Sequence, residues 1–337
     1  MNADFIIHAL LGLLPVLCFL AALVVLDSYK LVSVKTVVAM IIAGILAAVA
    51  SYPINSAALS SLAVEFSWYT RYVSPVLEEA LKALIVVVLL QRNRIGFLVD
   101  AAILGFAVGA GFAIFENLFY LQILPDTRLG TWIVRGFGTA IMHGGATAIF
   151  AVTSHALIGQ KGALRGAAML PGFAVAVITH SIFNHFFLSP IQTTLGFLVF
   201  LPMLAAAIFM QSEKSVEEWL DVGFDADTEL LELINSGQFS SSKVGVYLLA
   251  LKERFRGEVV ADLLCYLRLH VELSIRAKGM LMMRESGFED EIGEETRAKL
   301  VEMKYLDKSI GKTGKLAIKP FMQMSNKDLS QIYRLSS

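Results

Sequence analysis

The chain has 337 residues, of which 56% are hydrophobic and 17% charged, and this is too apolar for a soluble protein of its size. A formal net charge of -1 without a long basic block excludes the electrostatic pattern of a nucleic-acid-binding protein. Two cysteines, Cys18 in an apolar stretch and Cys265 in a polar region, exclude a disulfide framework and a cysteine-based metal site.

The charged residues divide the chain into two domains. Residues 1–211 hold ten Lys/Arg and eight Asp/Glu, whereas the shorter remainder holds 18 Lys/Arg and 21 Asp/Glu. This change of composition predicts a transmembrane domain at 1–211 and a soluble domain at 212–337.

Seven stretches approach the roughly 20 apolar residues that a spanning helix needs. They are 5–26, 34–51, 72–91, 97–121, 131–158, 164–188 and 193–211. The stretch 56–68 is short and contains Glu65, which favours an interfacial or re-entrant helix. The predicted fold class is an all-α multi-pass membrane bundle of about seven spanning helices and one short interfacial helix, followed by a soluble helical domain.

Basic residues in short loops predict the orientation, because such loops face the cytoplasm. Alternate loops carry Lys and Arg, whereas the opposite loops hold little besides Arg71 and Arg128. The basic pairs are Lys30 and Lys35, Arg92 and Arg94, and Lys161 and Arg165. The N-terminus is therefore predicted outside and residues 212–337 inside the cell.

Four of the predicted spans carry polar residues that are costly inside a bilayer. They are Glu78, Glu79 and Lys82 in the third stretch, Glu116 and Asn117 in the fourth, His143 in the fifth, and His180 and Asn184 in the sixth. Glu78 and Lys82 are four residues apart, so we expect them to share a helix face and to pair. The structural alternatives are an ion pair that fixes packing, a protonated glutamate, and neutral packing histidines.

Counting about 1.5 Å of rise per residue from the outer end of each helix places these groups at similar depths. Glu78 lies about 10 Å in and Glu116 about 8 Å in. His143 lies about 18 Å in and His180 about 12 Å in. We therefore expect the carboxylates and imidazoles to meet in the outer half of the membrane, around one buried water.

Two kinds of hydrolytic site fit these residue types. Glu116, His143 and His180 have the ligand types of a catalytic zinc site, with Glu78 or Glu79 left as the base. In the metal-free alternative, Glu78 or Glu79 activates water, and the histidines and Asn184 stabilise the oxyanion. The residues alone leave both open.

In the soluble domain, apolar residues at helical spacing predict an amphipathic helix packed on a small core. They are Val259, Val260, Leu263, Leu264, Leu267 and Val271. The run from Gly311 to Gly314 is predicted as a loop, and Ser325 to Asp328 resembles a capping box that begins a last short helix.

The chain resembles the PrsW family of intramembrane proteases in four motifs on successive helices. These are Glu78-Glu79-x-x-Lys82, Phe112-x-x-x-Glu116-Asn117, His143, and His180-x-x-x-Asn184. The resemblance implies peptide-bond hydrolysis in or near the membrane, with both glutamates and both histidines essential. In PrsW itself the family role is cleavage of a membrane-anchored anti-sigma factor near its extracytoplasmic side. Related CAAX-type proteases typically carry a histidine where this chain has Glu116, which disfavours a prenylated substrate.

The resulting hypothesis is an endopeptidase of a bacterial cell membrane that acts on a membrane-anchored protein. Glu78 or Glu79 is the expected base, His143 and His180 position water or bind metal with Glu116, and Asn184 is the expected transition-state donor. Lys82 and Asn117 are expected in support. The domain at 212–337 is expected to bind a cytosolic partner or a second copy. The competing hypotheses are a proton- or cation-coupled transporter and a non-catalytic membrane scaffold.

Overall fold

A computed structural model describes residues 3–124, 128–158, 165–236, 238–288 and 292–318. Within these ranges the chain is helical and contains no strand, as predicted for the fold class. It divides into two compact units, Met1–Ser212 and Glu213–Ser337.

Within the described residues, the first unit contains eight α-helices and the first half of a ninth, which continues beyond it. They are α1 (Ala3–Leu26), α2 (Val34–Leu62), α3 (Phe66–Tyr72), α4 (Ser74–Gln91), α5 (Leu98–Ile123), α6 (Leu129–Ile133), α7 (Ile141–Ile158), α8 (Arg165–His185) and α9 (Pro190–Asn235). A π-helical segment, Val134–Ala140, joins α6 to α7 without a break.

Six helices of the described chain are long and apolar enough to cross a membrane, and the protein is an integral membrane protein. They are Asp4–Leu26, Val34–Leu62, Leu98–Ile123, Leu129–Ile158, Gly166–His185 and Pro190–Asn235. Of the seven predicted spans, the one missing from this set is α4, whose 18 residues include three charged side chains.

Two predicted boundaries differ from the structure. The stretch 56–68 is not a separate helix, because α2 continues through Pro53 to Leu62 and a seven-residue helix then begins at Phe66. Side chains supply hydrogen bonds beside this proline: Asn55 Nδ2 donates to the Ser51 carbonyl, and the Tyr69 hydroxyl donates to the Asn55 carbonyl. The last span was predicted to end at residue 211, but α9 continues to Asn235.

Helix α5 lies at the centre of the first unit, in contact with α1, α2, α4 and α7. Its closest neighbours approach at glycines. A Cβ atom on Gly109 would lie 2.2 Å from the His143 carbonyl oxygen on α7, and one on Gly111 would lie 2.0 Å from the Ile41 carbonyl oxygen on α2. Small residues on α5 therefore bring its backbone directly against both partners.

The second unit has its own hydrophobic core. It is built from the end of α9 with α10 (Lys243–Ala250), α11 (Gly257–Glu285) and α12 (Glu294–Ile318). The predicted amphipathic helix is α11, which buries Val260, Leu263, Leu267 and Val271.

The remaining predictions concern the run from Gly311 to Gly314 and residues outside the described ranges. The predicted loop at Gly311 to Gly314 is shortened to a single-residue break: Gly311 has non-helical backbone angles, with φ 61° and ψ -173°, and two helical segments of α12 meet there at a kink. Lys161 and the predicted capping box at Ser325 lie outside the described residues.

Candidate active site

The paired glutamates begin a helix whose first residues are Ser74 and Pro75, with Val73 as the N-cap. Proline suits this position because the first helical N–H groups have no partner within the helix. Glu78 and Glu79 lie in the second turn, and adjacent helical residues point about 100° apart. The two carboxylates therefore meet different neighbours.

Glu79 is held from two sides in the interior. Its Oε1 accepts a hydrogen bond from Lys82 Nζ at 2.5 Å and another from His180 Nδ1 at 2.9 Å. Glu79 is 2% exposed and Lys82 is fully buried, so each charge depends on the other for compensation. The prediction that Lys82 pairs with Glu78 is therefore wrong. Residues three and four apart are both helical neighbours, and here the pair forms at the spacing of three.

Glu78 has a looser environment than Glu79. Ser74 donates a hydrogen bond of 2.5 Å to Glu78 Oε1. Glu78 Oε2 lies 3.9 Å from His180 Nε2, which is too long for a hydrogen bond but short enough for a water to bridge. The side chain is 16% exposed. Glu78 is thus the carboxylate of the pair that can meet an incoming molecule.

His143 connects α7 to both α4 and α5. Its Nε2 lies 2.9 Å from Glu116 Oε2, and its Nδ1 lies 3.0 Å from Lys82 Nζ. The ring also meets His180 edge-on, with 4.7 Å between the ring centroids. The structure thus joins the carboxylates and imidazoles of four helices in one network.

Glu116 faces an arginine as well as His143. Arg135 Nη2 lies 3.2 Å from Glu116 Oε1, as an ion pair rather than an aligned hydrogen bond. Sequence reasoning missed Arg135, although it stands alone as a cation within the predicted span 131–158. A charge at such a depth requires a partner, and that requirement was the signal available in the sequence.

The two predicted asparagines occupy different places. Asn117 is 1% exposed and lies beside the network, where its Oδ1 accepts from Arg135 Nε at 2.9 Å and its Nδ2 donates to the Gly12 carbonyl at 2.7 Å. The Asn184 amide nitrogen instead donates to the Thr70 carbonyl at 2.9 Å. This donor therefore joins α8 to α3 and is not directed at the network.

The residues that could hold a metal ion differ in one member from the predicted set. The ligand atoms of Glu78, His143 and His180 all lie within 4.8 Å of one another. Glu116, the predicted carboxylate ligand, is engaged by Arg135 and His143. The set that the structure brings together thus contains Glu78 where the sequence prediction had Glu116.

This donor set fits a divalent metal ion. Two imidazoles and one carboxylate are the ligands of a well-known class of catalytic zinc sites. The second ring nitrogen of a metal-binding histidine usually donates to a carboxylate, and His180 Nδ1 does so to Glu79. For His143 to bind metal, one of its nitrogens must exchange its contact with Lys82 or Glu116 for the ion.

These observations define a class of protein: a multi-pass membrane protein with a buried glutamate and histidine centre that has the composition of a hydrolytic site. The model of the PrsW family of intramembrane metalloproteases matches residues 32–207, which is more than half of the chain. The chain belongs to this family and is a membrane protease that acts on membrane-embedded protein. No curated protein and no solved structure matches it. The family match includes the whole network and ends before the second unit.

Proposed function

We propose that the protein cleaves one membrane-anchored protein within the outer half of a bacterial cell membrane, as in the regulated proteolysis of an anti-sigma factor. The family supports the reaction, and the helical depths of the polar residues support the location. The observation that carries the proposal is the separation of 3.9 Å between Glu78 Oε2 and His180 Nε2, which leaves both atoms able to meet a water, beside the buried ion pair of Glu79 and Lys82.

Glu78, His143 and His180 are proposed as the metal-binding set, with zinc as the ion. A divalent ion held there would polarise the peptide carbonyl and make a water more acidic. Glu79 orients the ring: because its carboxylate accepts from Nδ1, the Nε2 lone pair of His180 points toward Glu78. Glu79, Lys82 and both histidines are buried, which strengthens the electrostatic interactions among them.

One observation favours a metal-free variant of the same hydrolysis. The Lys82 ammonium lies 3.0 Å from His143 Nδ1 and therefore engages a lone pair that a metal ion would use. In this variant Glu78 is the general base for a water that bridges to His180, since a carboxylate within hydrogen-bond reach of the water suffices. Asn184 remains the predicted transition-state donor only if its contact with Thr70 opens.

The test compares newly formed protein N-termini in membranes from cells that express wild type, Glu78→Gln or Glu65→Gln. We expect one or a few membrane-anchored proteins to lose their cleavage only in the Glu78 variant. Glu65 is the matched control, because it is an exposed glutamate whose side chain contacts only Ser67 among the hydrogen bonds described. Wild-type cleavage by Glu78→Gln would refute the proposal.

Elemental analysis of the same purified proteins separates the two variants of the chemistry. About one zinc per chain in wild type, lost in His143→Asn and His180→Asn together with cleavage, supports the metal-binding set. Metal-free protein that retains full cleavage supports Glu78 as base.

The orientation is part of the proposal, with the N-terminus outside and the second unit in the cytoplasm. Cys265 provides the test, because it is exposed in the second unit, whereas Cys18 lies in the first apolar helix. A membrane-impermeant maleimide should label Cys265 only after the cells are opened. Labelling in intact cells would reverse the proposed orientation.

The second unit is proposed to bind a cytosolic partner or a second copy of the chain. It is compact and lies outside the family match, so the protease chemistry alone does not require it. Mass measurement of the purified full chain in nanodiscs, with and without cell extract, tests this. A strictly monomeric chain that retains no cytosolic protein would contradict it.

A further inference from the structure

Arg135 is the second cation of the network and is fixed more firmly than a lipid-facing arginine would be. Its Nε donates to Asn117 Oδ1 at 2.9 Å, and its guanidinium carbon lies 3.7 Å from the centroid of the Tyr120 ring. Nη2 lies 3.2 Å from Glu116 Oε1. All three contacts are on α5, at positions that share one side of the helix, and the side chain is only 14% exposed.

The contacts of Arg135 are in turn anchored to other helices. Asn117 donates its amide to the Gly12 carbonyl on α1, so the arginine has a fixed acceptor. Arg135 itself lies in the π-helical segment Val134–Ala140, and π-helical turns occur frequently at functional sites. The planar guanidinium can make the side contact to Asn117 and the stacking contact to Tyr120 together, which a lysine ammonium cannot do.

Glu116 uses its two oxygens for two different partners. Oε1 faces Arg135, and Oε2 faces His143 Nε2 at 2.9 Å. An ionised carboxylate only accepts hydrogen bonds, so Glu116 requires a proton on His143 Nε2. In neutral His143 the lone pair is then on Nδ1, where it accepts from the Lys82 ammonium at 3.0 Å, so Glu116 and Lys82 require the same tautomer.

We infer that Arg135 is a positioning residue: it orients Glu116, which holds the Nε2 proton of His143 and thereby holds this ring beside His180 and near Glu78. This inference rests on the proposed function. Arg135 acts through Glu116 and need not touch the substrate. It also balances charge, since Lys82 and Arg135 are the two cations that pair directly with carboxylates of this network.

The test uses purified full-length protein with ¹⁵N-labelled histidine, and the variants Arg135→Met, Arg135→Lys and Arg128→Met. The ¹⁵N shift of His143 Nε2 reports its hydrogen bond to Glu116, and titration with Co²⁺ alone reports metal affinity. We expect Arg135→Met to change this shift, because Glu116 loses its orientation, and to weaken Co²⁺ binding by about 10- to 100-fold. Arg135→Lys should recover part of both, and Arg128→Met, at an exposed helix N-cap, should change neither.

A double variant decides whether the effect passes through Glu116. If it does, adding Arg135→Met to Glu116→Gln changes the Nε2 shift and the Co²⁺ affinity little further, because coupled residues are not additive. Full additivity, or a wild-type Nε2 shift and affinity in Arg135→Met, would overturn the inference. If Arg135→Met does not fold, the comparison of Arg135→Lys with Glu116→Gln carries the same decision.

The readouts also separate this inference from the proposed function. If wild type binds no Co²⁺, the metal-binding set is wrong, but the ¹⁵N shift of His143 Nε2 still decides the role of Arg135. If Glu78→Gln cleaves normally, the proposed function fails whatever the Nε2 shift shows.

Discussion

Replacement of Glu79 by glutamine is expected to destabilise the fold, whereas the same replacement of Glu78 is not. Glu79→Gln removes the negative charge that compensates the fully buried Lys82 ammonium, 2.5 Å away. Removing one partner of a buried ion pair costs about 3–5 kcal/mol. Glu78 accepts a hydrogen bond from the neutral Ser74 hydroxyl, which a glutamine oxygen can also accept. We therefore expect Glu78→Gln to change the free energy of unfolding by about 1 kcal/mol or less.

The assay is equilibrium unfolding of the purified protein in mixed micelles, followed by tryptophan fluorescence. Trp132 is 1% exposed and lies in the membrane unit, so its emission reports on the packing of that unit. A matched double variant, Glu79→Gln with Lys82→Met, removes both charges and should recover most of the loss, because an apolar replacement of a buried pair is often neutral. The reasoning fails if Glu79→Gln unfolds within about 1 kcal/mol of wild type, or if Lys82→Met adds to its loss.

Three further predictions concern packing, metal and pH. Gly109→Ala places a Cβ 2.2 Å from the His143 carbonyl oxygen, so it should lower the free energy of unfolding by about 1–3 kcal/mol and abolish cleavage. Thermal unfolding and cleavage assays test this, and Gly130→Ala, whose Cβ would have no atom within 4 Å, should change neither. Prolonged chelation of the purified protein should abolish cleavage and zinc should restore it, as measured by elemental analysis beside the cleavage assay; full activity without metal would support Glu78 as base. In the second unit, the Lys299 and Arg268 cations lower the pKa of Glu272 against its desolvation, and the contacts to Glu295 and Glu272 raise the pKa of Lys299. The lowered pKa of Glu272 stabilises the unit at pH values above its unfolded pKa of about 4.3, and this contribution is lost as the pH falls through the folded pKa. The raised pKa of Lys299 stabilises the unit at pH values below its unfolded pKa of about 10.4, and this contribution is lost as the pH rises through the folded pKa. Lys299→Met should therefore lower the free energy of unfolding by under about 1 kcal/mol at pH values between these two pKa values. A loss of the same size at pH 2 would contradict the predicted pH dependence.

The convergence of the polar residues could be predicted from the sequence because helix geometry constrains it. Glu116, His143 and His180 fall at similar depths on separate apolar helices, and a shared depth leaves few other places for them to find partners. Small residues at helical spacing are likewise visible in a sequence, and the His143 backbone approaches α5 at one of them, Gly109. These are properties of single helices, so they are readable without knowing the fold.

The partners within the network could not be predicted, since they depend on side-chain orientation. Spacings of three and four residues both put a glutamate beside Lys82. In the structure the partner is Glu79, which also accepts from His180 Nδ1. The partners of Arg135 were also hidden, although its charge within an apolar span was visible in the sequence. It lies in a π-helical segment, whose altered register turns side chains away from the positions that an α-helical spacing implies.

Charge balance explains why the adjacent residues Glu78 and Glu79 are given different roles in the proposed chemistry. Among the described ion pairs of the membrane unit, Lys82 compensates Glu79 and Arg135 compensates Glu116, while Glu78 has only the neutral Ser74 and the more distant His180 ring. One carboxylate of three is thus left without a cation in direct contact. A divalent ion or a proton taken from water could each compensate it, so both variants of the proposed chemistry act at Glu78. Giving Glu78 a permanent cation, by Ser74→Lys, should therefore abolish cleavage in the folded protein, and retained cleavage would show that this open carboxylate is not needed.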